Sequence, residues 1–187
     1  MAALTDFLPF IRQNISGPLN IMMTDAVLQA SVTFCRESLY CRRTVTLVPV
    51  AGERCPLTGP DEAVVCARII RMMGQDRELY TGQDAEEQDD KSLRFKDTHS
   101  RVSVLIAVAP RTDAGSVPDE LLDFPDTVAD GALALLFVQD KKPWYDPQRA
   151  QYFRQRFVDG FRRAYREALD RNPVSPFRNP VRRQRFY

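Results

Sequence analysis

The sequence predicts an α+β fold, in which a helical bundle of about three main helices carries an inserted antiparallel β-sheet region and an extended C-terminal arm. Three observations predict it. Apolar residues recur at helical spacing before residue 42 and after residue 112, whereas between them the period changes to two. After residue 170, prolines and arginines replace the apolar pattern. We therefore expect one domain over residues 1–170, made of a helical core (18–42 and 112–170) with a β insertion (43–110), followed by an arm over 171–187.

The first helix is predicted from residue 20 to about residue 40. Residues 1–19 mix Phe, Pro and Gly, and we expect them to form an irregular lead-in. Asn20 is a fair N-cap because its side chain can accept a backbone N–H bond. The apolar positions at helical spacing are Met23, Val27, Ala30 and Phe34.

Three main strands are predicted at 44–48, 63–73 and 101–109, where β-branched residues or strict alternation dominate. Shorter strands are expected near 54–57, 78–81 and 93–97. A dense acidic run lies between two of these short strands, and we expect it to be a solvated loop. Its members are Asp84, Glu86, Glu87, Asp89 and Asp90.

Two further helices are predicted after a break at residues 114–118. The first covers about 125–138, where a small-residue stretch around Gly131 allows a neighbouring helix to approach closely; Leu135 and Leu136 are placed on its buried side. The second begins at Asp146-Pro147, because Asp is a strong N-cap and Pro is favoured at the first helical position. It should reach about residue 170, with an apolar stripe of Ala150, Phe153, Phe157, Phe161, Ala164 and Ala168.

The charge of the chain is unevenly distributed. Its net charge is +1 over 187 residues, yet residues 147–187 hold eleven arginines and three acids, a local charge of +8. The arm contains prolines and too few apolar residues for a core of its own, so we expect it to become ordered on a partner. Its expected binding residues are Phe177, Arg178, Arg182, Arg183, Arg185, Phe186 and Tyr187.

No catalytic motif supports an enzyme, and we expect neither a cofactor nor a metal. The single histidine, His99, has no nucleophile motif around it, and phosphate-binding loops and zincin motifs do not occur in the sequence. The four cysteines lack zinc-site spacing, so buried reduced thiols are expected at Cys35 and Cys66. No apolar run reaches the length of a membrane span, and we expect no membrane partner.

A series of motifs then occurs in order along the chain. They read DAVLQASVTFC at 25–35, VPDELL at 117–122, VADGALALL at 128–136, and KPW at 142–144 followed by Asp146-Pro147. An aromatic helix follows them. Together they resemble the head-to-tail adaptor, or head-completion, proteins of tailed bacteriophages, over roughly residues 18–170.

This resemblance implies a non-enzymatic, structural virion protein. Such adaptors form a ring, commonly of twelve subunits, that docks on the portal protein and offers a surface to the tail, meaning nozzle or tail-tube proteins. Double-stranded DNA passes through the ring without specific binding. The expected location is the head–tail junction of the virion, assembled in the cytoplasm of the bacterial host. In this family the arm reaches along the portal, and seventeen extended residues span about 55–60 Å.

Several interpretations remain open. Trp144 either plugs the junction of the last two helices or anchors a protein interface, where tryptophan is enriched. The acidic run either faces the channel, where it would repel DNA phosphates, or serves solubility alone. The arginines of the last helix form either a solvated face or an interface with acidic groups.

The alternative function is a nucleic-acid-binding protein whose basic arm follows phosphates. The arm has no lysine and no glycine, which favours a shaped protein surface instead. A metal-dependent nuclease that uses the acidic run is a third hypothesis.

Overall fold

Four α-helices and nine β-strands make up the part of the chain that the computed structural model describes, residues 1–60 and 62–171. The helices are α1 (Leu8–Arg12), α2 (Asn20–Ser38), α3 (Pro125–Phe137) and α4 (Pro147–Arg171). The strands are β1 (Ala2–Ala3), β2 (Arg42–Leu47), β3 (Arg54–Cys55), β4 (Val64–Met73), β5 (Glu78–Leu79), β6 (Ala85–Glu87), β7 (Leu93–Phe95), β8 (Val102–Pro110) and β9 (Ser116–Val117). Two short 3-10 turns, Leu4–Phe7 and Asp119–Asp123, complete it.

The strands within these residues form three antiparallel sheets, in the orders β2-β8-β4-β5, β3-β7-β6 and β1-β9. The predicted bundle of about three helices with one inserted sheet region is therefore wrong, because the protein has a fourth helix and is richer in β-structure. The lead-in is not irregular either, since it contains α1 and a strand that pairs with β9. The short strands predicted near 54–57, 78–81 and 93–97 are present as β3, β5 and β7, whereas β1, β6 and β9 were not predicted. These three have only two or three residues each, too few to show a period in the sequence.

The three longer helices lie within two residues of their predicted bounds. The predicted cap of α2 is wrong, however. Leu19 occupies the N-cap position in extended conformation, and the side chain of Asn20 instead accepts a hydrogen bond from Arg12 at 2.7 Å. The helix ends at Ser38, and the left-handed φ of 50° at the C-cap residue Leu39 turns the chain towards β2.

Strand β8 is the centre of the main sheet. It pairs with β2 on one side and β4 on the other, and β4 accommodates two register shifts along this pairing. Val102, Val104, Ile106 and Val108 on one face of β8 are fully buried, and Ala107 and Ala109 on the other face are fully buried too. Helix α2 packs on β8, so the sheet is part of the core that supports the helices.

Helix α3 lies between α2 and α4 and approaches both closely. A Cβ atom at Gly131 would lie 2.8 Å from the ring of Phe157 in α4 and 2.9 Å from the Cβ of Ala30 in α2. On α4, a Cβ atom at Gly160 would lie 2.3 Å from Cγ2 of Thr127 in α3. These distances are shorter than van der Waals contact, so the glycines set the separation of the three helices.

We expect Gly160→Ala to destabilise the protein, by about 1–3 kcal/mol, although alanine favours a helix by about 1 kcal/mol over glycine. The cause is the clash with Thr127. Chemical denaturation measures the free energy of unfolding of the variant. Adding Thr127→Ala to Gly160→Ala should restore most of the stability that Gly160→Ala loses. The matched control is Gly115→Ala, since a Cβ atom there meets nothing within 4 Å. Equal effects of the two glycine substitutions would contradict the close approach.

Candidate interaction surfaces

Helix α4 is the most strongly amphipathic of the helices that the structure describes, and its start is defined by a local cap. Asp146 Oδ1 accepts hydrogen bonds from the backbone N–H groups of Gln148 and Arg149, both at 3.0 Å, and Pro147 follows as the first helical residue. The predicted start is thus confirmed. The buried face of the helix consists of Ala150, Phe153, Phe157, Ala164 and Ala168.

Three arginines of α4, spaced seven residues apart, flank this buried face and contact residues within α3 or directly before it. The guanidinium of Arg149 lies 5.1 Å from the ring centre of Phe137, and that of Arg163 lies 5.6 Å from the ring centre of Phe124. Arg156 lies between them. Such stacking stabilises a cation over an aromatic face, so this stripe holds α4 against α3.

Arg156 also forms an ion pair with a buried carboxylate. Its Nε donates to Asp130 Oδ2 at 3.0 Å, and the side chain of Asp130 is only 10% exposed. Burial raises the pKa of Asp130, and the charge of Arg156 opposes that rise. The ion pair therefore offsets part of the free-energy cost of burying the Asp130 carboxylate on α3.

At the end of the helix, Arg171 pairs with Glu167 at 2.7 Å and lies 4.6 Å from the ring centre of Tyr40. The three other arginines of the helix are exposed. Arg154, Arg162 and Arg166 form no ion pair and no aromatic stack within residues 1–60 and 62–171. They share one side of α4 with Val158, Tyr165 and Leu169. Two acids, Asp159 and Asp170, lie at the edge of that side, three residues before Arg162 and four residues after Arg166. We call it the arginine face: Gln151, Arg154, Val158, Arg162, Tyr165, Arg166 and Leu169.

An apolar groove of about 770 Å³ adjoins the arginine face between α2, α3 and α4. Its floor contains small residues such as Ala30, Gly131 and Ala150, and Arg154 and Val158 belong to both surfaces. Leu135 is 36% exposed and Val138 58% exposed at its edge. Leu135 is therefore less buried than predicted, whereas Leu136 is fully buried as predicted. This groove was not visible in the sequence.

The acidic run is a paired hairpin and not the predicted solvated loop, since Ala85–Glu87 form β6. Asp84 binds the guanidinium of Arg77 and accepts the N–H of Tyr80 at 2.8 Å, contacts that lower its pKa to about 2. Lys91 pairs with Glu87 at 2.7 Å, and Arg54 lies 3.7 Å from Asp90. Within the described residues, Glu86 and Asp89 are the members of the run without an ion pair.

This hairpin belongs to an end of the molecule that is net acidic. Residues 74–101 contain eight acids and five bases, a charge of −3. A loop packs on the same sheet, where Gly52 N donates to Phe95 O at 2.8 Å and His99 N donates to Pro49 O at 3.0 Å. The loop exposes Val48 (72%) and Val50. We call residues 48–53 and 74–101 the acidic end.

Trp144 packs within its own chain. A Cβ atom at Gly17, whose φ is 112°, would lie 3.0 Å from Cε3 of the indole. Its Nε1 is buried and has no hydrogen-bond partner among the residues described. This placement favours a packing role for Trp144 at the junction of the last two helices, where the indole contacts the lead-in at Gly17. An interface role for Trp144 stays a prediction.

The residues predicted for the arm, Phe177, Arg178, Arg182, Arg183, Arg185, Phe186 and Tyr187, lie outside the described residues. His99 is half-buried and meets the ring of Phe95 edge-on at 5.9 Å. Cys35 and Cys66 are buried as predicted, and the sequence did not reveal that Cys35 Sγ lies 3.6 Å from Cys41 Sγ.

Neither a scan of protein-family models nor a search of curated proteins finds a match to the chain. Over residues 1–60 and 62–171, no group of three or more His, Cys, Asp or Glu side chains is placed to hold a metal ion. None of the described helices is long and apolar enough to cross a membrane.

We expect Arg156→Met to destabilise the protein by about 1–3 kcal/mol at neutral pH, because the buried carboxylate of Asp130 loses its partner. The folded state holds the proton of Asp130 to higher pH than the unfolded chain does, so stability falls as pH rises through the folded pKa. Without Arg156 that pKa rises further. The variant should therefore lose less stability at acid pH than at neutral pH.

Urea denaturation at neutral and at acid pH measures this difference. Arg154→Met is the matched control, since this arginine has no partner in the part of the chain described, and it should change stability by less than about 0.5 kcal/mol. A loss in Arg156→Met that is independent of pH would contradict the role of the ion pair.

Proposed function

We propose that the protein is a head-to-tail adaptor of a tailed bacteriophage, a structural virion protein whose ring docks on the portal, extends the DNA channel and provides a surface for the tail. The observation that carries the proposal is the arginine face with its adjoining groove. This surface runs along α4 to Leu169, two residues before the basic, proline-rich arm begins. It combines apolar area with arginines that have no ion pair among the described residues, which suits a protein partner better than a small molecule.

The motifs that carry the family resemblance support the proposal because each has a physical task in presenting this surface. The small residues of α3 let α2 and α4 approach it. In the KPW corner, Trp144 packs on Gly17, and the Asp146-Pro147 pair caps α4. The motifs together position α3 and α4 against each other, and the sequence of the arm follows α4.

The proposed mechanism is multivalent attachment. An arm that becomes ordered on the portal loses entropy, so the contact of one subunit is modest. In a closed ring, commonly of twelve copies in this family, attachment of one arm raises the effective concentration of the others. The arginines of the arm would pair with portal carboxylates, and Phe177, Phe186 and Tyr187 would fill apolar pockets.

Double-stranded DNA would pass through the ring without being bound specifically. The acidic run supports this less strongly than its composition suggests, because three of its five carboxylates have basic partners. Glu86 and Asp89 remain as the charges that would act on DNA if the hairpin faces the channel. That orientation stays a proposal.

We expect deletion of residues 173–187 to abolish binding to the portal protein encoded with this chain and to leave the domain folded. The fold should survive because the contacts described above involve residues before 172. A pull-down with purified portal measures binding, and circular dichroism with thermal unfolding checks the fold.

The matched control replaces Arg178, Arg182, Arg183 and Arg185 with lysine. Lysine keeps the charge and loses the planar fork, so binding to portal carboxylates should weaken. Binding to free DNA depends on phosphate neutralisation and would change little. Normal portal binding by the truncation would overturn the proposal. Strong, salt-sensitive binding of free duplex DNA by the full chain would favour the nucleic-acid alternative.

A further inference from the structure

We infer that the arginine face and its groove bind the acidic end of a second copy of this chain, which makes this pair of surfaces the contact between neighbouring subunits. The inference rests on the ring in the proposed function and names the two surfaces that would close it. It is independent of the arm, which is assigned to the portal.

The first argument is that some arginines of α4 have partners in the same chain and others do not. Arg149, Arg156 and Arg163 are used within the chain, on Phe137, Asp130 and Phe124. Arg171 is used as well, since it pairs with Glu167 at 2.7 Å and stacks over Tyr40. The other three, Arg154, Arg162 and Arg166, have no ion pair among the described residues, although they share one helix side. Arginines that no described residue pairs with are available to a negative partner.

The second argument is the apolar groove beside these arginines. Leu135 and Val138 expose side chains at the edge of a groove of about 770 Å³, and its floor is made of small residues. Protein interfaces place an apolar centre next to charged groups in this way. The partner must therefore offer a protruding apolar feature beside carboxylates.

The acidic end of the same chain has both properties. Val48 and Val50 protrude from the loop that packs on β7. Residues 74–101 carry a charge of −3, and Glu86 and Asp89 have no ion pair in the described part of the chain. One copy thus contains the chemistry that the arginine face of another copy requires.

Charge also selects the symmetry of the contact. A two-fold pairing through α4 would bring Arg154, Arg162 and Arg166 of one copy against the same arginines of the other. Pairing of different surfaces avoids this repulsion, and such a head-to-tail contact generates a ring when the rotation closes. The charge asymmetry of the monomer therefore favours a ring over a dimer.

The test uses two charge-reversal variants of the full chain, Arg162→Glu/Arg166→Glu and Glu86→Arg/Asp89→Arg. Sedimentation velocity at low and high salt measures self-association without portal or DNA. We expect the wild type to self-associate at low salt and to dissociate as salt rises. Each variant alone should associate about a hundred-fold more weakly, because like charges then face each other.

A mixture of the two variants should recover association. In the mixture, the arginine face that carries Arg162→Glu/Arg166→Glu meets the acidic end that carries Glu86→Arg/Asp89→Arg, so opposite charges face each other again. The unchanged acidic end of the first variant can also pair with the unchanged arginine face of the second. Arg36→Glu/Arg68→Glu is the matched control for the arginine variant, since it changes the net charge by the same amount at exposed positions outside the arginine face, the groove lining and the acidic end. This control should associate like the wild type.

Three outcomes would overturn the inference: a wild type that stays monomeric at low salt, variants that associate normally, or a mixture that does not recover. Salt-sensitive binding of duplex DNA that Arg162→Glu/Arg166→Glu abolishes would assign the face to phosphates instead. A failed portal pull-down with recovered association in the mixture would reject the adaptor role and keep the subunit contact.

Discussion

The close approach of α3 to its two neighbouring helices is the constraint on which the other features depend. Gly131 leaves space for the ring of Phe157 and for Ala30, and Gly160 leaves space for Thr127. Because the side chains of Phe157, Ala30 and Thr127 pack directly against the glycine backbone at these points, small changes of volume would shift the axis of α4. The position of that axis determines which arginines meet α3 and which face solvent. It also determines the width of the groove.

The arginines of α4 show why composition alone does not identify a binding surface. The sequence left open whether the arginines of the last helix form a solvated face or an interface with acidic groups. In the structure, Arg149, Arg156 and Arg163 contact aromatic rings and Asp130 of their own chain. The arginines that remain available to a partner are Arg154, Arg162 and Arg166, which lie on one side of α4. A guanidinium that stacks on a ring keeps its charge but loses its freedom to reorganise around a ligand.

The elements whose signals are local could be predicted from the sequence. Helices α2, α3 and α4 have strong periodicity, and the Asp146-Pro147 start depends on adjacent residues alone. The short strands β3, β5 and β7 were predicted as well. Strands β1 and β9 and the exposure of Leu135 depend on neighbours distant in the chain, so no local pattern encodes them. The spacing of Arg149, Arg156 and Arg163 was visible in the sequence. Their inward role required knowing that Phe137 and Phe124 lie beneath them.

The central position of β8 has a consequence for how the chain folds. The main packing partners of α2, namely β8, α3 and α4, all begin after residue 100. During synthesis the apolar face of α2 therefore emerges long before the elements that cover it. Contacts this distant in sequence slow folding and prolong the exposure of apolar surface. The apolar face of α2 is accordingly a part of the nascent chain that stays without its main native partners until β8, α3 and α4 have been synthesised.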